Sequence, residues 1–302
     1  MNRFKPFLAA SLFWSVSIPA QAVLIQFDYS YDSNGFFSDP VRRGVLEAAG
    51  NYFSSLLADD LAAITSNSSN TFTAIFNDPS SGNQVSLPDY NVPADTLIVY
   101  AGARDLGATL GQGGPGSYGV RYTDPKYYEL VRTRGEADET EGATATDFAP
   151  WGGAIAFDID ANWYFDADPA TDEAITGIDF YSVALHELGH LLGVGTADSW
   201  SNQISGGYFN GSASLAAYGS SVPLDSIDAH WAPGTMSILP DGTPQEAAMD
   251  PDLTTGTRKR FTVLDQAALS DIGWEVTPVP VPAALWLFAG GLLGLLGMSR
   301  RG

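Results

Sequence analysis

His186-Glu187-Leu188-Gly189-His190 puts two imidazoles and a carboxylate within five residues. On a helix, residues four apart lie one above the other on one face, so both imidazoles can aim at a single point. Zinc takes nitrogen ligands at roughly 2.0–2.1 Å and wants four neighbours. Glu187 stands one step round the helix. It flanks such a metal rather than binding it, and can take a proton from water that the metal activates. The plain alternative is two core histidines that happen to be four apart. The chain has three histidines in all, and two of them are here. A Glu also stands at the one position hydrolysis needs, and an apolar run precedes the pair.

The helix that must carry these residues is legible. Asp179 is a candidate N-cap, and Gly193 suits the residue just past the C-terminus, which predicts a helix over 179–192. Its opposite face carries Tyr181, Ala184, Leu188 and Leu191 at 3–4 spacing and is expected to bury in a core. Gly189 lets another backbone or a substrate come close.

The chain has 302 residues, 45% of them hydrophobic, enough for one large domain or two lobes. A formal charge of −21 argues against nucleic acid, because no basic surface meets phosphates. It suits a soluble exported protein. The absence of cysteine excludes disulfides, a thiolate zinc site, a thiol nucleophile and a Cys-capped latent metal.

Residues 1–22 read as a secretory signal, with Arg3 and Lys5, an apolar middle and Ala20-Gln21-Ala22 as the cleavage site. The mature chain is then expected to begin at Val23 with a strand over 23–29, leaving no room for a sizeable propeptide. A long helix is predicted over 40–64, capped by Asp39 with Pro40 in its first turn. Its apolar stripe runs through Val41, Val45, Leu46, Ala49, Phe53, Leu56, Leu57 and Leu61. Strands are predicted at 71–76, 96–101 and 151–165. Residues 102–119 hold many glycines but are no phosphate loop, since no Gly-Lys-Ser/Thr follows and no helix opens after them. They read equally as a flexible surface loop or as a rim leading into an edge strand beside a cleft. Asp158, Asp160, Asp166, Asp168 and Asp172 offer the oxygen ligands calcium takes, without EF-hand spacing; solvated acidic loops are the alternative. Residues 196–228 read as an irregular excursion. A last helix is predicted over 262–272, with Thr262 and Asp265 as an acidic capping box.

The zinc helix together with Met249 resembles the metzincin zinc peptidases. Leu264-Asp-Gln-Ala-Ala-Leu-Ser-Asp-Ile-Gly-Trp274 resembles the closing helix of the matrixin-type members. The resemblance covers most of residues 151–276. It implies an α+β fold: a mixed twisted sheet, an active-site helix and a more irregular C-terminal lobe. The zinc peptidase domain is expected at 23–276, divided into an upper lobe of about 23–193 and a lower lobe of about 194–276. It also implies a cleft strand, at 151–165 or after the Gly-rich stretch, to whose edge a peptide adds. The family motif H-E-x-x-H-x-x-G-x-x-H matches at His186, Glu187, His190 and Gly193, but its last position is Thr196. Leishmanolysin-like members carry an insertion before the last histidine. Here residues 194–229 would be that insertion, and His230 the third ligand. Met249 would then lie in the bend beneath the metal.

A neutral hydroxyl at Thr196 is a poor zinc ligand. Asp198 is chemically able but two residues off the family spacing, and His230 is the one remaining imidazole. Glu246 and Glu275 are the downstream carboxylates that a Glu-ligated site would need. Asp228 is a candidate partner for His230. Two functions compete. One is a secreted zinc endopeptidase acting on peptide or protein substrates, with Glu187 as general base. The other is a non-catalytic zinc-binding surface or extracellular-matrix protein.

Residues 277–302 form a separate tail: Pro278, Pro280 and Pro282, an apolar run over 283–298, and Arg300-Arg301. The tail resembles the PEP-CTERM sorting signal of Gram-negative bacteria, with Pro280-Val281-Pro282 in place of Pro-Glu-Pro. That resemblance implies export to the cell surface or extracellular matrix, transient membrane anchoring by 283–298 and processing by a sorting transpeptidase. The plain alternative is a permanent C-terminal anchor.

Overall fold

The computed structural model describes residues 23–277 apart from Ala167 and Asp172. The signal expected at 1–22 and the apolar span at 283–298 lie outside these residues. Among the described residues no helix is long and apolar enough to cross a membrane.

In chain order the first part runs β1 (Leu24–Asp28), α1 (Pro40–Leu56), β2 (Thr71–Asn77), β3 (Gln84–Leu87), β4 (Thr96–Arg104), β5 (Gly111–Pro115), β6 (Ser117–Arg121), α2 (Pro125–Thr133), β7 (Gly152–Asp158), β8 (Trp163–Tyr164), β9 (Ile178–Asp179) and α3 (Phe180–Leu191). The second part holds α4 (Asp198–Ser201), β10 (Ile204–Ser205), β11 (Tyr208–Phe209), α5 (Ser212–Tyr218), β12 (Val222–Pro223), β13 (Met236–Ile238), β14 (Pro244–Glu246) and α6 (Val263–Asp271). The result is an α+β fold around a mixed sheet ordered β1-β4-β7-β5. β1, β4 and β7 are parallel, and β5 is an antiparallel edge.

β4 is buried on both faces, which is why it reads as a continuous apolar run. Leu97, Val99, Ala101 and Ala103 join the core beneath α1 and α3. Ile98 and Tyr100 join a smaller core with Phe72, Phe76 and Trp151 on the side of β2 and β6. Arg134, fully buried after α2, donates to the carbonyls of Ala62, Pro93, Thr96 and Pro150 and ties these segments together.

α1 begins as expected, with the Asp39 carboxylate accepting from Val41 N and Pro40 in the first turn. It ends at Leu56, eight residues early. Leu57 turns extended and bridges Val276, while Leu61 and Ile64 stay buried. Apolar spacing therefore continues after the helix has stopped. Val41, expected on the stripe, is 47% exposed. α2 was not expected at all, and it refutes the reading that no helix follows the glycine-rich stretch. Asp124 caps it and Pro125 opens it. The glycine-rich stretch itself holds two strands, β5 and β6. The excursion at 196–228 holds α4, α5 and a three-stranded sheet, β10-β11-β12. α6 has the expected capping box of Thr262 and Asp265.

Candidate metal centre

α3 starts where its cap requires. The Asp179 carboxylate accepts from Ser182 N at 3.1 Å and from Ser182 Oγ at 2.6 Å. Asp179 is fully buried, and Arg258 meets its charge with two hydrogen bonds of 2.8 and 2.9 Å. Tyr181, Ala184, Leu188 and Leu191 face the core. Gly193 closes the helix with φ +104°. Gly189 is the close-approach position: a Cβ there would collide with Met249 Sδ, so Met249 packs directly under the helix. Met249 is fully buried.

His186, His190 and His230 converge, and they are the group among the described residues whose donor atoms lie within 4.8 Å of one another. Nε2 of His190 lies 3.1 Å from Nε2 of His186 and 3.0 Å from Nε2 of His230. Each Nδ1 faces an oxygen that can only accept: Ala248 O at 2.8 Å, Val194 O at 2.8 Å and the Asp225 carboxylate at 2.9 Å. Each Nδ1 therefore carries the proton, and each Nε2 keeps a bare lone pair. Burial pushes His186 well below the ordinary imidazole range and His190 down to about 4, so both stay neutral. Neighbouring rings add to this effect. Bare lone pairs on His190 and its two neighbours, 3.0–3.1 Å away, cannot bond one another, and a shared cation would resolve them. Tetrahedral zinc with ligands at roughly 2.0–2.1 Å sets its donors about 3.3 Å apart, close to this spacing.

His230 is held by its neighbours. Trp231 N donates to Met249 O at 3.1 Å, and Trp231 Nε1 donates to Asp265 Oδ1 at 2.9 Å. Asp265 also accepts from the backbone of Ala248 and Met249. One buried carboxylate on α6 thus fixes the bend beneath the histidines and the residue after His230. Trp200 and Phe209 stack at 4.1 Å, and Trp200 packs on Trp231 at 5.2 Å, so the excursion returns on an aromatic wedge.

Asp225, not Asp228, supports the third imidazole. The Asp228 main chain instead accepts from Trp200 Nε1, at φ +59°. Burial alone would raise the Asp225 carboxyl, but hydrogen bonds from His230 and from the Ala229 amide outweigh it and hold it low. The Thr196 hydroxyl donates to His190 O at 2.7 Å. The Asp198 carboxylate accepts from Gly142 N at 2.6 Å and is outside the histidine group. Glu246 pairs with Lys259 at 2.8 Å. Of the acidic cluster considered for calcium, Asp158 accepts from Leu106 N and Asp166 pairs with Arg258, while Asp172 lies outside the described residues.

Glu187 is buried beneath β5. A Cβ at Gly111 would strike its Oε1, and one at Gly113 would strike its main-chain oxygen, so bare glycines let the strand lie on the helix. Burial pushes the Glu187 carboxyl up to about 8, against a hydrogen bond from the Gly113 amide. The histidines and Glu187 open into a cleft of about 750 Å³, walled by 108–113 on one side and by Ala248, Asp250, Pro251 and Leu253 on the other.

Part of this arrangement, the α3 portion, sits inside a recognisable segment. The Matrixin family profile matches residues 128–204. Metalloendoproteinase 1 of Glycine max is 40% identical over 58 residues, 19% of this chain and 19% of that protein. Metalloendoproteinase 2-MMP of Arabidopsis thaliana is 41% identical over 59 residues, 19% of this chain and 16% of that protein. The chain thus spans less than a fifth of the length of either relative. No solved structure matches. The similarity is to metalloendoproteinases over this segment, and the α+β fold is compatible with the matrixin family. The profile match takes in His186, Glu187 and His190 and ends before Asp225 and His230.

Proposed function

We propose that the chain is a zinc-dependent endopeptidase with His186, His190 and His230 as metal ligands and Glu187 as general base. The observation that carries this reading is the set of three bare Nε2 atoms, each with its Nδ1 already committed to an oxygen. Bound zinc would supply polarisation of the scissile carbonyl and activation of water. A cation at the three nitrogens would also favour the ionised form of Glu187, against the burial that raises it. The Glu187 carboxylate takes a proton from the attacking water and delivers it to the leaving amine nitrogen.

Substrate positioning falls to β5. Leu110 O accepts from Asp158 N and Gly116 N donates to Gly152 O, so the even-numbered residues bond inward to β7. Alternation turns the main-chain groups of Gly111, Gly113 and Pro115 to the open edge. An extended peptide adding there lies across the histidines, which supports an endopeptidase of unfolded or strand-like segments. Arg3, Lys5 and Ala20-Gln21-Ala22 support export, and the Pro-rich, apolar and Arg-ended tail supports sorting to the cell surface or matrix with removal of 283–302. Intact mass of protein from the native host tests both cuts: a chain retaining 283–302 would mean a permanent anchor.

The test of the activity is zinc-loaded protein against casein or gelatin. Glu187→Gln is expected to keep its zinc and lose at least about a hundredfold in rate, the scale of a lost general base. A fully active variant would remove Glu187 from the chemistry, and a zinc-loaded parent without activity would leave a zinc-binding surface protein as the better reading.

A further inference from the structure

β5 has two faces. A Cβ at Gly111 or Gly113 would strike Glu187, so these positions face α3. Alternation turns Gln112 and Gly114 to the other face of the sheet. There a second cavity, of about 280 Å³, lies between β5 and β7 on one side and β2 with the turn after it on the other. Gln112 and Gly113 line both this cavity and the histidine cleft, so one strand divides the two. A Cβ at Gly114 would meet nothing within 4 Å, so the cavity is open at the strand.

Arg104 supplies its charge. It stands half-buried at the end of β4, two strands in from β5. Its Nη1 donates to Pro79 O at 2.9 Å and its Nη2 to Gln112 Oε1, so the guanidinium reaches across β7 to the edge strand. Two of its five N–H groups are committed there, and among the described residues the other three have no acceptor. No carboxylate of these residues pairs with Arg104. Asp78 acts on it through space, while capping its own turn by accepting from Ser80 N and Ser81 N. Burial pushes the Arg104 guanidinium below its ordinary value, the direction an unpaired cation takes. The Oε1 of Gln112 faces Arg104, which leaves its amide NH2 to donate.

An extended peptide on the β5 edge alternates its side chains as β5 does. Those level with Gly111 and Gly113 face the histidines, and those level with Gln112 and Gly114 face the cavity. The peptide strand lies about 4.8 Å beyond β5, a distance that a Glu side chain spans.

We propose that Arg104 and Gln112 form a subsite for an acidic side chain of the substrate, Glu above all, on the face of the peptide turned away from the metal. The planar guanidinium fork and the adjoining amide NH2 suit the two oxygens of one carboxylate. This inference rests on the endopeptidase reading for where the peptide lies. The chain's −21 does not forbid it, because at physiological salt exposed charges more than about 8 Å away are largely screened.

Zinc-loaded full-length Glu187→Gln protein tests binding apart from cleavage. The probes are extended peptides, dye-labelled at the N-terminus and amidated, with one central Glu or a Gln in its place. Fluorescence anisotropy is expected to show the Glu peptide bound about tenfold tighter, the scale of one charge-assisted contact. Adding Arg104→Met should bring the ratio of the two affinities close to one, and Arg104→Glu should reverse it in favour of a Lys peptide. If circular dichroism shows the Met variant unfolded, Gly114→Leu fills the cavity with Arg104 in place and should remove the same preference. Glu and Gln peptides bound equally or not at all by the Glu187→Gln protein, or a preference that Arg104→Met keeps, would overturn the subsite. An Arg104-dependent Glu preference in a protein whose parent cleaves no casein would leave the subsite standing and sink the peptidase reading alone.

Discussion

The chemistry at the histidines depends on what holds their far nitrogens. His186 and His190 lean on main-chain oxygens, which no substitution removes. His230 leans on a side chain, Asp225, at 2.9 Å. Asp225→Asn keeps the shape but offers an amide where a carboxylate accepted the proton. Partners of this kind typically matter 10–100-fold to metal affinity. Competition with a chromophoric chelator should show zinc affinity falling within about that range in Asp225→Asn, with α3 unchanged by circular dichroism. An affinity equal to the parent's would mean that Asp225 does not orient His230. Of these residues His186, Glu187 and His190 were legible, because a helix fixes their mutual direction from spacing alone. Asp225 was not. Four residues of irregular loop separate it from His230, and no period says which way either side chain points.

At the scale of elements, the site is a helix pressed between a glycine-bearing strand above and a methionine below. Gly111→Val would drive a branched side chain into the Glu187 carboxylate. It is expected to cost at least about tenfold in rate at constant zinc content, since displaced catalytic groups lose rate steeply. An active Gly111→Val protein would mean that β5 stands further from Glu187 than described. The ends of α3 were readable because Asp179 and Gly193 are boundary residues with a mechanism. The sequence left β5 undecided between a loop and an edge strand beside a cleft, since three of its five residues are glycine and carry no side chain to alternate; the structure shows the edge strand. α1 was overextended for the opposite reason: Leu57 and Leu61 keep helical spacing while burying from a backbone that has left the helix.

The N-terminus of α3 is also clamped, by Arg258 reaching Asp179, Asp166 and the carbonyls of Pro169 and Thr171. Removing one partner from such a buried set costs about 3–5 kcal/mol. Burial would raise the Asp166 carboxyl, but the Asp168 amide and Arg258 outweigh it and hold it below its ordinary value. A carboxyl held low in the folded chain stabilises it above its unfolded value, about 3.9, and stops doing so as pH falls through the folded value. Arg258→Ala should therefore melt lower than the parent at neutral pH and lose less stability on acidification below about pH 4. Parallel melting curves across that range would show that Arg258 does not set the Asp166 carboxyl.

Over the whole molecule, two sequence-distant returns build the centre. One brings His230 back across forty residues onto the aromatic wedge of Trp200, Phe209 and Trp231. The other sets α6 so that Asp265 grips the bend at Ala248 and Met249. Closing so long a loop is tolerable, since each doubling of length costs only about 0.6 kcal/mol. A metal shared by α3 and the second part of the chain should then stabilise the whole fold. Stripping zinc held at a thousand times its Kd removes about 4 kcal/mol, or roughly 10 °C in a domain of this size. A melting temperature indifferent to chelation would mean that the two parts hold together without the metal.

Zinc-edge X-ray absorption of the full-length protein tests the three-histidine centre most directly. Its first shell is expected to hold three imidazole nitrogens at about 2.0–2.1 Å and one further light atom. A shell with two imidazoles and a protein carboxylate, or a chain that takes up no zinc, would contradict it.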